Sequence, residues 1–284
     1  RTGQTAGLFV ALTCAGLGML SAQLLLSTIL DCLAAVMVLI PPVMFGHWIV
    51  SRLRIGAIPM RWRFLLAAGI GLGVTSLLVL GLGLIGLLSR SLWLGILGLF
   101  ILLGLSTLRR VVFQHDAEVC NAPAGHQTRW VYAWLLMVPF LVVAVRNASN
   151  APGFIWAEEG YGYDVLEYHL QVPREYLRQG RITYLAHNVY ANFPSNVEML
   201  YLLSMIVHGG TTDLGTVANT LHLFLGLLLV VTLWCIGRES SPGAGMIAAL
   251  TGGTVGWLPY LGGMAYVEHG MLFFGALALA VLVR

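Results

Sequence analysis

The 284 residues are 58% hydrophobic and 10% charged, with a mean hydropathy of +0.84 and a formal net charge of +3. Soluble domains carry roughly a quarter charged residues, so this composition excludes a water-soluble fold. The fifteen basic residues are all arginine and are dispersed, with no basic run interleaved with aromatics, which argues against nucleic acid as a partner.

A helix crossing ~30 Å of hydrocarbon needs roughly 20 apolar residues. Eight segments meet or approach that length: Gly7–Ile29, Cys32–Val50, Phe64–Leu88, Leu92–Leu108, Trp130–Val145, Leu214–Ile236, Ala244–Leu261 and Gly270–Val283. The pattern predicts an all-α, polytopic integral membrane protein of about eight transmembrane helices. Tight hairpins are expected at Asp31 and at Ser89–Ser91, and a kink at Pro41–Pro42. Gly69 and Gly73 share a helical face and suit a close helix approach. Gly81-x-Gly83-x-x-Gly86 matches a dinucleotide-binding expression, but it lies in an apolar span with no strand before it and so lacks the context that gives the motif meaning. Cys14, Cys32 and Cys235 fall in apolar segments and Cys120 in a polar connection, at no metal-ligand spacing.

Short positively charged loops are retained in the cytoplasm. Placing the N-terminus inside puts ten arginines on the cytoplasmic side and five outside, so the stretch 148–213 is expected to be a long external loop. This loop carries Glu158, Glu159, Asp164, Glu167, Glu175, Glu198 and Asp213 against Arg174, Arg178 and Arg181, which suits a proton acceptor, a divalent cation or a held phosphate. From Asp164 the spacing predicts an amphipathic surface helix with Leu166, Leu170, Pro173 and Leu177 on its apolar face, interrupted at Pro173 and ended by Gly180. A second surface helix is expected from Ser195, where Ser195 and Glu198 form a capping-box pattern.

The run Tyr163-Asp164-Val165-Leu166-Glu167-Tyr168-His169-Leu170, with Pro173 to Gly180, Asn188 to Leu200 and Ala265-Tyr266-Val267-Glu268-His269, resembles the first external loop and following segment of bacterial GT-C glycosyltransferases, the class of protein mannosyltransferases and aminoarabinose transferases. The resemblance covers residues 130–284, a module that would be cut short at its C-terminal end. Residues 1–129, about four spans, lie outside it. It implies transfer of a sugar from a polyprenyl-phosphate carrier to an acceptor glycan, lipid or protein on the periplasmic face of a bacterial inner membrane. Asp164 would match the loop carboxylate that takes a proton from the acceptor, and Glu268 a second acid facing the same cavity. His169 and His269 would be proton-transfer groups, while Glu167, Tyr168, Arg174, Arg178 and Arg181 would contact substrate. Asp164 and Glu268 would hold a divalent cation such as Mg or Mn if one is used. Val165 stands where many relatives carry a second acid.

Blander readings sit beside these. Asp164 with Glu167 is also a capping box, Glu198 reads as a cap, and Glu158 and Glu159 as solvated charges. Trp130, Trp156, Tyr161, Tyr163 and Tyr168 read as an interfacial belt. His47 and His222 read as helix-to-helix hydrogen-bonding groups. Two other functions stay open: a non-catalytic membrane scaffold derived from the same fold, and a transporter, although acids within the spans are sparse.

Overall fold

The computed structural model describes residues 22–53, 58–115, 132–151, 162–208 and 215–283, and among these every regular element is helical, with no strand. In chain order the helices are α1 (Ala22–Arg52), α2 (Met60–Leu84), α3 (Arg90–His115), a 3-10 segment Tyr132–Met137 running into α4 (Val138–Ala148), a π-helical turn Val165–His169, α5 (Gln171–Gln179), a 3-10 turn Val189–Asn192, α6 (Asn196–His208), α7 (Thr216–Arg238), α8 (Pro242–Thr254), α9 (Trp257–Leu261) and α10 (Glu268–Val283). Four helical stretches are long and apolar enough to cross a membrane: Leu26–Arg52, Met60–Leu84, Arg90–Thr107 and Thr216–Arg238. The expected count of eight is not confirmed: among the described residues Tyr132–Ala148, Asn196–His208 and Glu268–Val283 are apolar but shorter. Leu30, Leu33 and Met37 on α1, Leu102 and Leu105 on α3 and Leu279 on α10 are exposed, the apolar surface that a protein shows to lipid.

Two span boundaries differ from expectation for physical reasons. The hairpin at Asp31 is absent, because α1 runs unbroken through it. A single Asp with no Gly or Pro beside it removes no backbone hydrogen bond and gives the helix no reason to stop. Most of the predicted Gly7–Ile29 span, residues 7–21, lies outside the described residues. The predicted Ala244–Leu261 span is two helices, since Val255 leaves helical geometry (φ −57°, ψ 115°) between α8 and α9. Pro259 has no N–H to return to the Val255 carbonyl, so the helix cannot heal across the break. The turn between α2 and α3 falls where expected and uses Gly86 at φ +81°.

α1 packs on both α2 and α3, and its tightest approach to α2 is at Gly46 and Gly71. A Cβ at Gly46 would stand 1.9 Å from the Ala67 carbonyl oxygen. Gly69 and Gly73, the pair expected to suit a close helix approach, face side chains of α10, Leu277 and Phe274.

The largest departure is α6. Instead of lying on the surface, it is buried from Val197 through Val207 and packs against α1, α2, α3, α5 and α7. Its thirteen residues span about 20 Å, too short to cross a bilayer, so the chain between α5 and α7 enters the bundle and supplies its core. Ser76 of α2 donates to the Asn196 carbonyl, tying the start of α6 to the membrane helices.

Candidate active site

The site forms where the π turn, the start of α6 and the start of α10 meet. Leu170 N–H donates to the Val165 carbonyl at 2.9 Å, closing the wide ring of a π turn. Pro173 explains its position, because it cannot donate to the His169 carbonyl and regular α-helix cannot run through it. The extra residue rotates the buried face: Val165, His169, Val172 and Tyr176 are buried with Leu170 and Pro173, while the predicted Leu166 and Leu177 are only half-buried. It also places Asp164 and His169, five residues apart, about one turn from each other.

Asp164 does not serve as a side-chain cap, so the capping-box reading with Glu167 fails. Both acids are half-buried. Glu167 is hydrogen-bonded to Tyr163, and its charge is the main reason the Tyr163 phenol is pushed up. The Glu167 carbonyl accepts from Asn188 Nδ2 at 2.8 Å, while Asn188 Oδ1 accepts the Tyr190 N–H at 3.1 Å, so one side chain fixes the 3-10 turn against the π turn.

Tyr168 is the centre of the cluster. Its ring stacks on Tyr190 (5.2 Å between centroids), meets Phe193 edge-on (6.0 Å) and lies 4.1 Å from the His169 ring. Burial, and then the charges of Asp164, Glu198 and Glu268, push its phenol up to about 12. Tyr266, which meets the His169 ring edge-on at 5.4 Å, is raised by burial and then by Asp164 and Glu268. Asp164 and Glu268, 104 residues apart in the chain, therefore bear on the same two phenols. The Glu268 side chain accepts the Val267 N–H at 3.1 Å and stands half-buried at the start of α10.

Glu198, expected to be a cap, is 4% exposed and pairs with His169, whose Nδ1 lies 2.8 Å from Glu198 Oε1. Ser195 contributes its hydroxyl to the Phe193 carbonyl instead of to a capping box. The sequence pattern could not reveal the pairing, because the partners are 29 residues apart on different elements. Tyr201 of α6 donates its hydroxyl to the Tyr266 carbonyl and completes the wall.

His269 turns away from this cluster. Its ring stacks on His222 at 4.3 Å, and its Nδ1 and Nε2 each lie 3.1 Å from a backbone carbonyl, those of His222 and Leu258. His222 makes the helix-to-helix bonds expected of it, through Leu261 O and the His269 N–H, whereas the buried His47 Nε2 has no partner among the described residues. Beside His269 is a cavity of about 360 Å³, walled by Trp134, Phe140, Leu223, Val230 and Leu258 with His269 as the one titratable lining residue. One residue along α10 thus separates the acidic, aromatic cluster from an apolar cavity.

Arg178 and Arg181 are not brought to the cluster. Both are exposed at the far end of α5, where Gly180 at φ +70° closes the helix and Ile182 N–H donates to Gly83 O on α2. Arg174 is half-buried on α5. Among the described residues no group of three or more His, Cys, Asp or Glu side chains forms a metal-ligand set. Glu158, Glu159, Trp130, Trp156 and Tyr161 lie outside the described residues. No family model, curated protein or solved structure matches the chain.

Proposed function

We propose that the chain is a membrane-embedded glycosyltransferase that moves a sugar from a polyprenyl-phosphate donor to an acceptor hydroxyl on the external face of a bacterial inner membrane, with its N-terminus in the cytoplasm. One observation carries this reading: Asp164 and Glu268 bear on the same phenols of Tyr168 and Tyr266, one residue from an apolar cavity. A lipid-linked sugar has the matching polarity, a hydroxyl-rich head for the carboxylates and phenols and a hydrocarbon chain for the cavity.

Asp164 takes the proton from the acceptor hydroxyl as that oxygen bonds to the anomeric carbon. The bond from the anomeric carbon to the phosphate oxygen breaks, and its electron pair leaves with the lipid phosphate. Glu268 accepts hydrogen bonds from sugar hydroxyls and steadies the positive charge that develops on the ring. Tyr168 remains protonated throughout the physiological range and donates to the sugar. No step is routed through a metal, and Arg174 meets the phosphate.

The test is release of polyprenyl phosphate from a polyprenyl-phosphate hexose in membranes carrying the chain. Asp164→Asn should lower the rate roughly 10²- to 10⁴-fold with unchanged expression, and Glu268→Gln should act in the same direction. Full activity in Asp164→Asn removes the assignment. Donor left intact by the wild-type chain, with solute flux in liposomes, would make it a transporter.

A further inference from the structure

We propose that His169 and Glu198 form a proton-holding dyad, in which Glu198 is the positioning residue and His169 Nε2 takes up the proton that Asp164 removes from the acceptor; this rests on the transferase reading. After transfer, the proton passes from the Asp164 carboxyl to His169 Nε2, one π turn away. Asp164 returns to its ionised form and the imidazolium is held by the Glu198 carboxylate. Loss of that proton to water resets the pair, so the cycle consumes and leaves no other species.

The geometry assigns these roles. The Nδ1–H of His169 donates to Glu198 Oε1 at 2.8 Å, and the two side chains are 4% and 6% exposed. That hydrogen bond fixes the proton on Nδ1 in the neutral ring and leaves the lone pair on Nε2. No described residue bonds Nε2. Glu198 Oε2 is buried and also has no partner, so His169 is the one group that answers this carboxylate among the described residues. A carboxylate retained only to fill space or cap a helix would show the opposite pattern, with both oxygens bonded to backbone N–H groups. The ring is held between Tyr168 at 4.1 Å and Tyr266 at 5.4 Å, the two phenols on which Asp164 and Glu268 act.

The charged and titratable groups around His169 are Asp164, Glu167 and Tyr168 on the π turn, Glu198 and Tyr201 on α6, Tyr266 and Glu268 before and at the start of α10, and His222 on α7. Of these, Glu198 is the one hydrogen-bonded to the ring.

The experiment uses the full chain in lipid nanodiscs with ¹⁵N-labelled histidine. The wild-type His169 signals, assigned by their loss in His169→Gln, should show the Nδ1–H tautomer at high pH. In Glu198→Gln the pH profile of transfer should change. The variant's kcat should fall roughly 10²-fold at unchanged KM for a polyprenyl-phosphate hexose, with partial recovery in Glu198→Asp. A wild-type His169 found as the Nε2–H tautomer, or a Glu198→Gln protein with unchanged kcat and pH profile, overturns the dyad. The tautomer measurement decides this even if Glu198→Gln does not fold. Absence of transfer in the wild type with the expected tautomer would instead remove the transferase reading and leave the dyad standing.

Discussion

Gly71→Ala tests whether the α1–α2 crossing is held by backbone contact, and Gly81→Ala on the same helix is its control. A Cβ at Gly71 would lie 1.9 Å from the Pro42 carbonyl oxygen, 2.6 Å from its carbon and 3.1 Å from Gly46 N, whereas one at Gly81 meets nothing within 4 Å. The obstructing atoms are backbone, so no rotamer change relieves the clash, and the helices must part by about 1.5 Å to reach an ordinary contact. Overpacking of this kind costs ~1–3 kcal/mol. Both variants gain the same ~0.5–1 kcal/mol from replacing a helical glycine, so the difference between them isolates the packing cost. At ~2–4 °C for each kcal/mol in chains approaching this size, Gly71→Ala should melt several degrees below Gly81→Ala when unfolding in detergent is followed by circular dichroism. Coincident midpoints would refute the crossing. The effect should reach the site, because Ser76, further along α2, holds the Asn196 carbonyl at the start of the helix that carries Glu198.

The Tyr168 phenol, pushed up to about 12 chiefly by burial, should be among the last to ionise, and Tyr168→Phe should remove one tyrosine from the late part of the phenolate absorbance titration. Its folded value is above the ordinary one near 10, so its contribution to stability is present below about pH 10 and is lost as pH rises through about 12. The variant's melting temperature should fall less steeply over that window. At the other end of α2, Glu239 Oε1 accepts from Arg61 Nη2 at 2.9 Å and from Trp62 Nε1 at 2.8 Å. Glu239→Ala should cost ~1–2 kcal/mol, since a half-exposed ion pair gives at most ~1 and the indole bond adds about as much. Denaturant unfolding at low and high salt checks it, with the loss partly screened at high salt.

Long apolar runs made α2, the start of α3 and α7 legible to within a few residues, because a bilayer-length stretch leaves little choice of structure. Gly180 was equally plain as a helix end, since φ +70° suits glycine. Asp31 misled because one charge was read as a boundary where the backbone had no breaker. The burial of α6 was hidden by its length: thirteen mostly apolar residues fit a surface helix or a core helix, and only packing decides. At the site, Asp164, Tyr168, His169 and Glu268 were visible as chemistry-bearing types, but their grouping was not. The π turn is set by a hydrogen bond between residues five apart, and the Glu198 partner lies on another helix. Periodicity reports neither.

The position of Glu268 follows from how α9 ends. Leu258 O and Leu261 O, which also accept the Gly262 and Met264 N–H groups, lie 3.1 Å from His269 Nε2 and 3.0 Å from His222 Nδ1, so two imidazoles pack on the end of α9. A carbonyl can only accept, so His222 carries its proton on Nδ1, and its Nε2 lone pair is free to receive the His269 N–H at 3.1 Å. That bond locks the first turn of α10 to α7. Gly226 is what lets the ring in, because a Cβ there would stand 2.5 Å from His269 Nδ1. His269 therefore acts on the cluster through its neighbour: with its backbone N–H bonded to His222 and its ring set among backbone carbonyls, it holds the first turn of α10 where Glu268 meets the phenols that Asp164 reaches from the π turn.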